Sequence, residues 1–166
     1  MHLAGSCSCG AVRFAVESRA PYPFLRCYCS ICRKTAGGGG YAINLSGETE
    51  TLTVEGKEHV RVYQATLEED GKMVQSEHQR NFCGRCGAHL WAYHPAWPEL
   101  VHPLASAIDS PLPRPPEHVH MMLGSRASWV AVEGKPDDPR FDIYPDFSLA
   151  EWHARHGIYE GTDREP

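Results

Sequence analysis

No stretch of this 166-residue chain approaches the roughly 20 consecutive apolar residues that a bilayer-spanning helix requires. The opening residues also lack the basic head and continuous apolar run of a secretory leader. An excess of positive charge is missing as well. The 16 basic and 21 acidic residues are interleaved for a net −5, which leaves no cationic stripe to neutralise nucleic-acid phosphates. A soluble, cytoplasmic protein is therefore expected, with neither nucleic acid nor membrane as partner. Long helical patterns are scarce, because 13 prolines and 15 glycines punctuate the chain. No internal repeat is present. The glycine run Gly37 to Gly40 is not followed by the lysine and hydroxyl residue of a phosphate-binding loop, so a plain turn, or a close approach of substrate backbone, is what it could provide.

Cysteine, by contrast, is plentiful: there are seven. Thiols stay reduced in the cytoplasm, where clustered cysteines are more often metal ligands than disulfides, and pairing seven would strand one. They fall into three groups: Cys7 and Cys9; Cys27, Cys29 and Cys32; Cys83 and Cys86. If Cys-x-Cys lies in an extended strand, its two sulfurs share a face. In the knuckle Cys83-Gly84-Arg85-Cys86-Gly87 the chain folds back so that two sulfurs converge on one tetrahedral ion, and the glycine permits the tight backbone. A closed zinc site takes four ligands and an open one takes three, so seven cysteines match two zincs. Spacing alone leaves open which groups combine. An open three-thiolate site is expected to be the more accessible of the two to chelators and oxidants.

The remaining pattern predicts a mainly β protein. Val12, Phe14 and Val16 alternate in strand fashion, and further strands are expected over 24–29, 41–45, 51–54, 59–65, 73–82, 89–93 and 101–108. Ser30 to Thr35 reads as a helical turn, and Asp70-Gly71 as a hairpin turn. Four prolines between Pro111 and Pro116 make a stiff connector. Near the end Ser148 and Glu151 form a capping box, Phe147 and Trp152 are placed as a staple, and Gly157 suits a helix stop. A single domain over 1–166 is expected, with a helical extension at about 146–158.

Three ordered motifs carry a resemblance: Gly5-Ser-Cys-Ser-Cys-Gly10, Cys27-Tyr-Cys-Ser-Ile-Cys-Arg-Lys34 and Asn81-Phe-Cys-Gly-Arg-Cys-Gly87. Together with Leu112-Pro-Arg-Pro, His118-Val-His and Ala127-Ser-Trp129, over roughly residues 5–150, they resemble the glutathione-dependent formaldehyde-activating enzyme family. The resemblance implies a β-tent zinc fold of short antiparallel strands. It implies a structural zinc held by Cys7, Cys9, Cys83 and Cys86, and a catalytic zinc held by Cys27, Cys29 and Cys32. It also implies a carbon-sulfur lyase-type activity that joins glutathione, or a related thiol, to formaldehyde as an S-hydroxymethyl adduct, and the reverse. The family commonly has histidine where this chain has Tyr28; packing is expected of that side chain, since it points away from its flanking cysteines if all three share a strand.

Arg33 and Lys34 adjoin the three-cysteine motif and could bind the carboxylates of an anionic thiol, or serve as surface charges or support for the cluster. His78, His89, His118 and His120 are expected in structural roles, because the cysteines already fill two sites. The alternative function is a non-enzymatic zinc-binding interaction module, since by resemblance the same architecture occurs in a Rab-exchange chaperone and in centromere protein V. The first would need only the four-cysteine site and the second would favour a basic extension. Three additional cysteines and the lack of a basic tail favour the enzyme. An enzyme acting on a different small thiol is a third reading.

Overall fold

The computed structural model describes residues 1–36 and 38–158. In chain order the first elements are β1 (His2–Ser6), β2 (Arg13–Glu17), β3 (Phe24–Cys27), α1 (Ser30–Ala36), β4 (Ala42–Asn44), β5 (Gly47–Glu48) and β6 (Thr53–Glu55). Then follow β7 (Val60–Tyr63), β8 (Thr66–Glu69), β9 (Lys72–Gln75), β10 (Gln79–Cys83), β11 (His89–Tyr93), β12 (Leu100–Pro103), β13 (His118–Met121) and α2 (Leu149–Arg155). No helix among the described residues is long and apolar enough to cross a membrane.

The protein is mainly β, as its punctuated sequence requires. The strands form a five-stranded sheet in the order β5-β12-β11-β10-β7, two three-stranded sheets, β1-β2-β6 and β13-β3-β4, and the hairpin β8-β9. Pairing is antiparallel except between β13 and β3, which run parallel with His120 opposite Arg26. The expected fold of short antiparallel strands is thus present, with this one parallel pair. That pair arises because β13 follows the proline-rich connector, which can return the chain in either direction, whereas hairpin-linked strands cannot.

Alternation decides what is buried. In β2, Phe14 and Val16 face inward while Arg13 and Glu17 face solvent. They join Leu3, Val12, Leu45, Leu90, Trp91, Val101 and Leu104 in one apolar cluster that also contains Cys7, Cys27, Cys32 and Cys83. The Phe14 and Trp91 rings meet at 5.2 Å between centroids. Three sulfur-bearing corners of the fold are therefore anchored in its core.

Most expected strands are trimmed at their ends, and two are interrupted. The 73–82 segment is split into β9 and β10 at Ser76 to His78: the Ser76 amide still bonds to the Ala65 carbonyl at 2.8 Å, in the register of the β8-β9 hairpin, before the chain passes into β10 and pairs with β7 and β11. The 101–108 segment leaves β12 at Pro103, after which Ala105–Ala107 coils into a 3-10 turn. Asp70 and Gly71 both adopt positive φ, 50° and 70-odd degrees (75°), as the β8-β9 turn demands.

The capping box at Ser148 and Glu151 is present in both directions, and Gly157 ends α2 with a left-handed φ of 66°. The staple is not the contact these side chains make: Phe147 packs on Phe141 at 5.6 Å, and Trp152 on Tyr22 at 6.3 Å. Trp152 is 1% exposed and also bonds Glu117, so α2 is fastened to the segment leading into β13. Residues 159–166 of the expected domain, and Gly37 of the glycine run, lie outside the described residues.

Candidate metal centre

The sulfurs of Cys7, Cys9, Cys83 and Cys86 lie within 4.8 Å of one another. Two knuckles bring them there. In one, the Cys7 amide bonds to the Val12 carbonyl and the Gly10 amide to the Cys7 carbonyl, each at 3.0 Å, while the Val12 amide donates to the Cys7 sulfur at 3.2 Å. In the other, the Cys83 amide reaches Ala88, the Gly87 amide returns to Cys83 at 2.8 Å, and the Arg85 amide donates to the Cys83 sulfur at 3.4 Å. Gly87 makes that turn with a φ of 76°, which a side chain would strain.

Four thiolates at the usual zinc–sulfur length of roughly 2.3 Å stand roughly 3.8 Å apart in a tetrahedron. Cys7 and Cys9 are separated by 3.6 Å, and Cys9 and Cys83 by 3.8 Å. The set fits a zinc ion. The Ala88 amide and then the Cys9 backbone hold the Cys86 thiol down to about 6, as preparation for a thiolate ligand requires.

Cys27, Cys29 and Cys32 make a second group within 4.8 Å, to which no fourth Cys, His, Asp or Glu is added among the described residues. Cys27 ends β3, and Cys29 precedes α1, where its carbonyl accepts from the Arg33 amide at 3.0 Å and its sulfur from the Cys32 amide at 3.3 Å. Hydrogen bonds from the Cys27 and Cys32 thiols, then backbone amides, push the Cys29 thiol down to about 2. Cys27 is pushed up by its bonds to Cys29 and Cys32 and by burial. Three converging sulfurs could take a soft metal with one position left for another ligand.

Convergence is reached differently from the expected extended strands. Cys7 and Cys9 sit in a turn after β1, and Cys29 lies beyond the end of β3, so turns rather than a shared strand face align the sulfurs. Exposure of the sulfurs does not follow ligand number. Cys9 and Cys86 of the four-sulfur set are exposed, whereas Cys27 and Cys32 are buried and Cys29 half-buried. The reason is placement: the knuckles protrude at turns, while the trio lies at a corner packed into the core.

Tyr28 packs as expected. It is fully buried, its hydroxyl is 2.9 Å from Nδ1 of His120, and its ring meets Tyr41 at 5.1 Å. His118 and His120 each lie 3.6 Å from Asp138 and not in either cysteine group, which gives them the structural role expected.

Arg33 is half-buried and Lys34 exposed. Both line a cavity of about 790 Å³ that also touches Cys7, Ala88, His89 and Asp109, so they face the knuckle side of α1 rather than the trio itself. Residues that the sequence did not single out also act on the trio. Against the Cys27 hydrogen bond and, more weakly, Arg80 on β10, the Cys29 hydrogen bond and burial push the Cys32 thiol up to about 11, while burial and then the charge of the trio raise the Tyr144 hydroxyl. His78, driven down to about 3 by burial and then by Arg80, is neutral. Arg80 lies three residues before Cys83 in a strand beside the site, a position that only the pairing of the sheet reveals.

Comparison with known proteins places these features in context. The family model described as glutathione-dependent formaldehyde-activating enzyme matches residues 2–123. That match ends before Ala127-Ser-Trp129, so it is shorter than the 5–150 span of the resemblance. A protein of Halomonas elongata named "Putative glutathione-dependent formaldehyde-activating enzyme" is 63% identical over 161 residues, covering 97% of this chain and 100% of that one. A Rhodobacter sphaeroides protein of known crystal structure is 28% identical, covering 69% of this chain and 93% of that chain, with a TM-score of 0.49.

Proposed function

We propose, for a chain that belongs to the glutathione-dependent formaldehyde-activating enzyme family, that it joins glutathione or a closely related thiol to formaldehyde as an S-hydroxymethyl adduct and catalyses the reverse carbon-sulfur lyase reaction. The observation that carries this reading is the second cysteine group, three sulfurs with no fourth protein ligand among the described residues. Zinc bound there would supply an open position that favours the deprotonated form of an incoming thiol. Cys7, Cys9, Cys83 and Cys86 would hold a second, closed zinc that maintains the fold, for two zincs per chain.

The chain's own residues have defined tasks. Cys27, Cys29 and Cys32 would hold the metal at the β3–α1 corner, and the Cys32 amide orients the Cys29 sulfur. Tyr28 and His120 lock the residue between two ligands, which keeps the sulfur spacing constant. Arg33 and Lys34 draw an anionic thiol to the adjoining cavity. In the bond-forming step the substrate sulfur donates an electron pair to the formaldehyde carbon. The carbonyl π pair moves to oxygen, which takes up one proton; the reverse step returns the proton and releases thiol and aldehyde. A non-enzymatic module would need only the four-cysteine set, so the trio argues for the enzyme. The compartment proposed is the cytoplasm, where substrate thiols remain reduced.

The test is NMR exchange spectroscopy of glutathione, other small thiols and formaldehyde with purified zinc-loaded protein. Accelerated adduct exchange, lost in Cys29→Ser, is the expected result. Exchange at the uncatalysed rate with every thiol would contradict the reading.

A further inference from the structure

Asp138 is a carboxylate enclosed by the fold, 3% exposed, in a turn that lies beyond the 2–123 stretch matched by the family model. A carboxylate taken out of water costs several kcal/mol unless charge and hydrogen bonds answer it. The Lys135 amide donates to its Oδ2 at 2.8 Å and the His118 amide to its Oδ1 at 3.2 Å. Against burial, these two amides hold the Asp138 carboxyl below its usual range, so it is ionised. Two imidazoles face the same oxygen: Nδ1 of His118 and Nε2 of His120 each lie 3.6 Å from Oδ2. Neither nitrogen has a hydrogen-bond partner among the described residues.

This charge decides where a proton sits. His120 is fully buried and neutral, lowered by burial and then by Arg26 against the pull of Asp138. A neutral imidazole carries one N–H, and an ionised carboxylate can only accept, so the proton belongs on Nε2, toward Asp138. Nδ1 is then an acceptor. The Tyr28 hydroxyl, 2.9 Å away and kept protonated by burial, is therefore the donor. Gly134 keeps the line short: a Cβ there would overlap Oδ2 of Asp138 and come within 3.1 Å of Nε2 of His120.

Tyr28 stands between two of the three converging sulfurs. Its amide bonds to the Met121 carbonyl at 3.0 Å, where the β13-β3 ladder ends with Met121 opposite Cys27. Its ring is enclosed by Tyr41 and His120, with centroids at 5.1 Å and 5.7 Å. The backbone torsions of residue 28 set how the Cys29 sulfur lies relative to that of Cys27. Packing alone would need only a phenyl ring at this position. A hydroxyl, an imidazole and a buried charge in line add direction, since such networks rigidify the groups they join.

We propose, on the metal assignment made above and independently of the thiol chemistry, that Asp138 is a positioning residue for the three-sulfur centre. It acts through His120 and Tyr28 to fix the spacing of Cys27 and Cys29, and so the strength with which that centre holds zinc. Groups that orient metal ligands from behind commonly account for roughly 10–100-fold in metal affinity, and a line that works through the backbone belongs at the lower end.

Competition between the full-length, zinc-loaded protein and a chromophoric chelator measures the affinity of each site without any turnover. Tyr28→Phe should weaken zinc at the three-sulfur centre roughly tenfold and Asp138→Asn roughly threefold to tenfold, with the four-sulfur site unchanged. Because one residue acts through the other, the double variant should hold zinc no more weakly than Tyr28→Phe alone. Nitrogen NMR of labelled wild type should find His120 protonated at Nε2. Additive losses, equal losses at both sites, unchanged affinity at the three-sulfur centre or a proton on Nδ1 would each overturn the positioning role. Should Asp138→Asn not fold, as judged by its melting curve, His120→Gln replaces it in the same cycle, and additive or absent losses overturn the role in the same way. A wild type that binds only one zinc would remove the metal assignment itself, and this role with it.

Discussion

The two cysteine groups are made of the same ligand and differ in almost everything else. The four-sulfur set joins two knuckles separated by 74 positions, at Cys9 and Cys83, and two of its sulfurs are exposed. The three-sulfur set is local, spans Cys27 to Cys32, and is tucked into the core. A bond network between distant segments closes a long loop in the unfolded chain and so contributes to folding, whereas a local one constrains little. Ligand number adds to the contrast: four thiolates complete a tetrahedron and three leave it open. Burial and chemical openness are thus separate properties, and here they run in opposite directions.

Breaking each group once should give the largest effects. Cys83→Ser removes a fully buried ligand of the long-range set, and structural zinc in small sites is worth roughly 10–16 kcal/mol. Little folded, soluble protein is expected from it. Cys29→Ser should melt within roughly 4 °C of wild type, a shift of about 1 kcal/mol, yet lose adduct exchange. Equal melting temperatures for the two variants, measured by calorimetry, would erase the distinction between the groups.

A smaller effect sharpens the contrast through pH. His89 is neutral in the fold, with its value lowered from 6.5 to about 4, chiefly by burial. The unfolded chain takes up this proton first, so the stability tied to neutral His89 is complete above pH 6.5, declines as pH falls, and is gone below about 4. At pH 5 the loss should be roughly 2 kcal/mol. Denaturant titrations at pH 7 and pH 5 should show that wild type loses more stability than His89→Gln over this interval; equal losses would contradict the assignment.

The smallest expected change concerns Arg33 and Lys34. Neutralising both should weaken glutathione binding roughly threefold to tenfold, as suits partly exposed charges, with less effect on an uncharged thiol. Equal loss for both thiols, measured by competition binding, would make them supports for the cluster.

Much of this contrast was legible in the residues. The three cysteine motifs, the hairpin at Asp70-Gly71, the Ser148–Glu151 cap and the packing role of Tyr28 follow from spacing, turn chemistry and polarity, which act locally, whereas the joining of Cys7 and Cys9 to Cys83 and Cys86 was implied only by the family resemblance. Arg80 and the depth of each group were not legible. A strand arginine reads as a surface charge until β10 is placed between β7 and β11, and exposure of a sulfur depends on which corner the sheets enclose. The interruptions at Ser76 and Pro103 were also missed, because the handover from the β8-β9 hairpin to the five-stranded sheet, and from β12 to a 3-10 turn, is set by tertiary pairing and not by local pattern.

The most direct test of the account is stepwise metal release. Purified protein containing two zincs is titrated with a mild chelator while released metal, circular dichroism and thiol accessibility are followed together. Ligand number predicts that about one zinc per chain leaves first, from the buried trio, with the fold intact, and that the second leaves only as the protein unfolds. Cys29→Ser should abolish the first phase and retain the second. Exposure alone predicts the opposite order, since Cys9 and Cys86 face solvent; early loss from the four-sulfur set, or release of both ions in one step, would contradict the division into an open and a closed site.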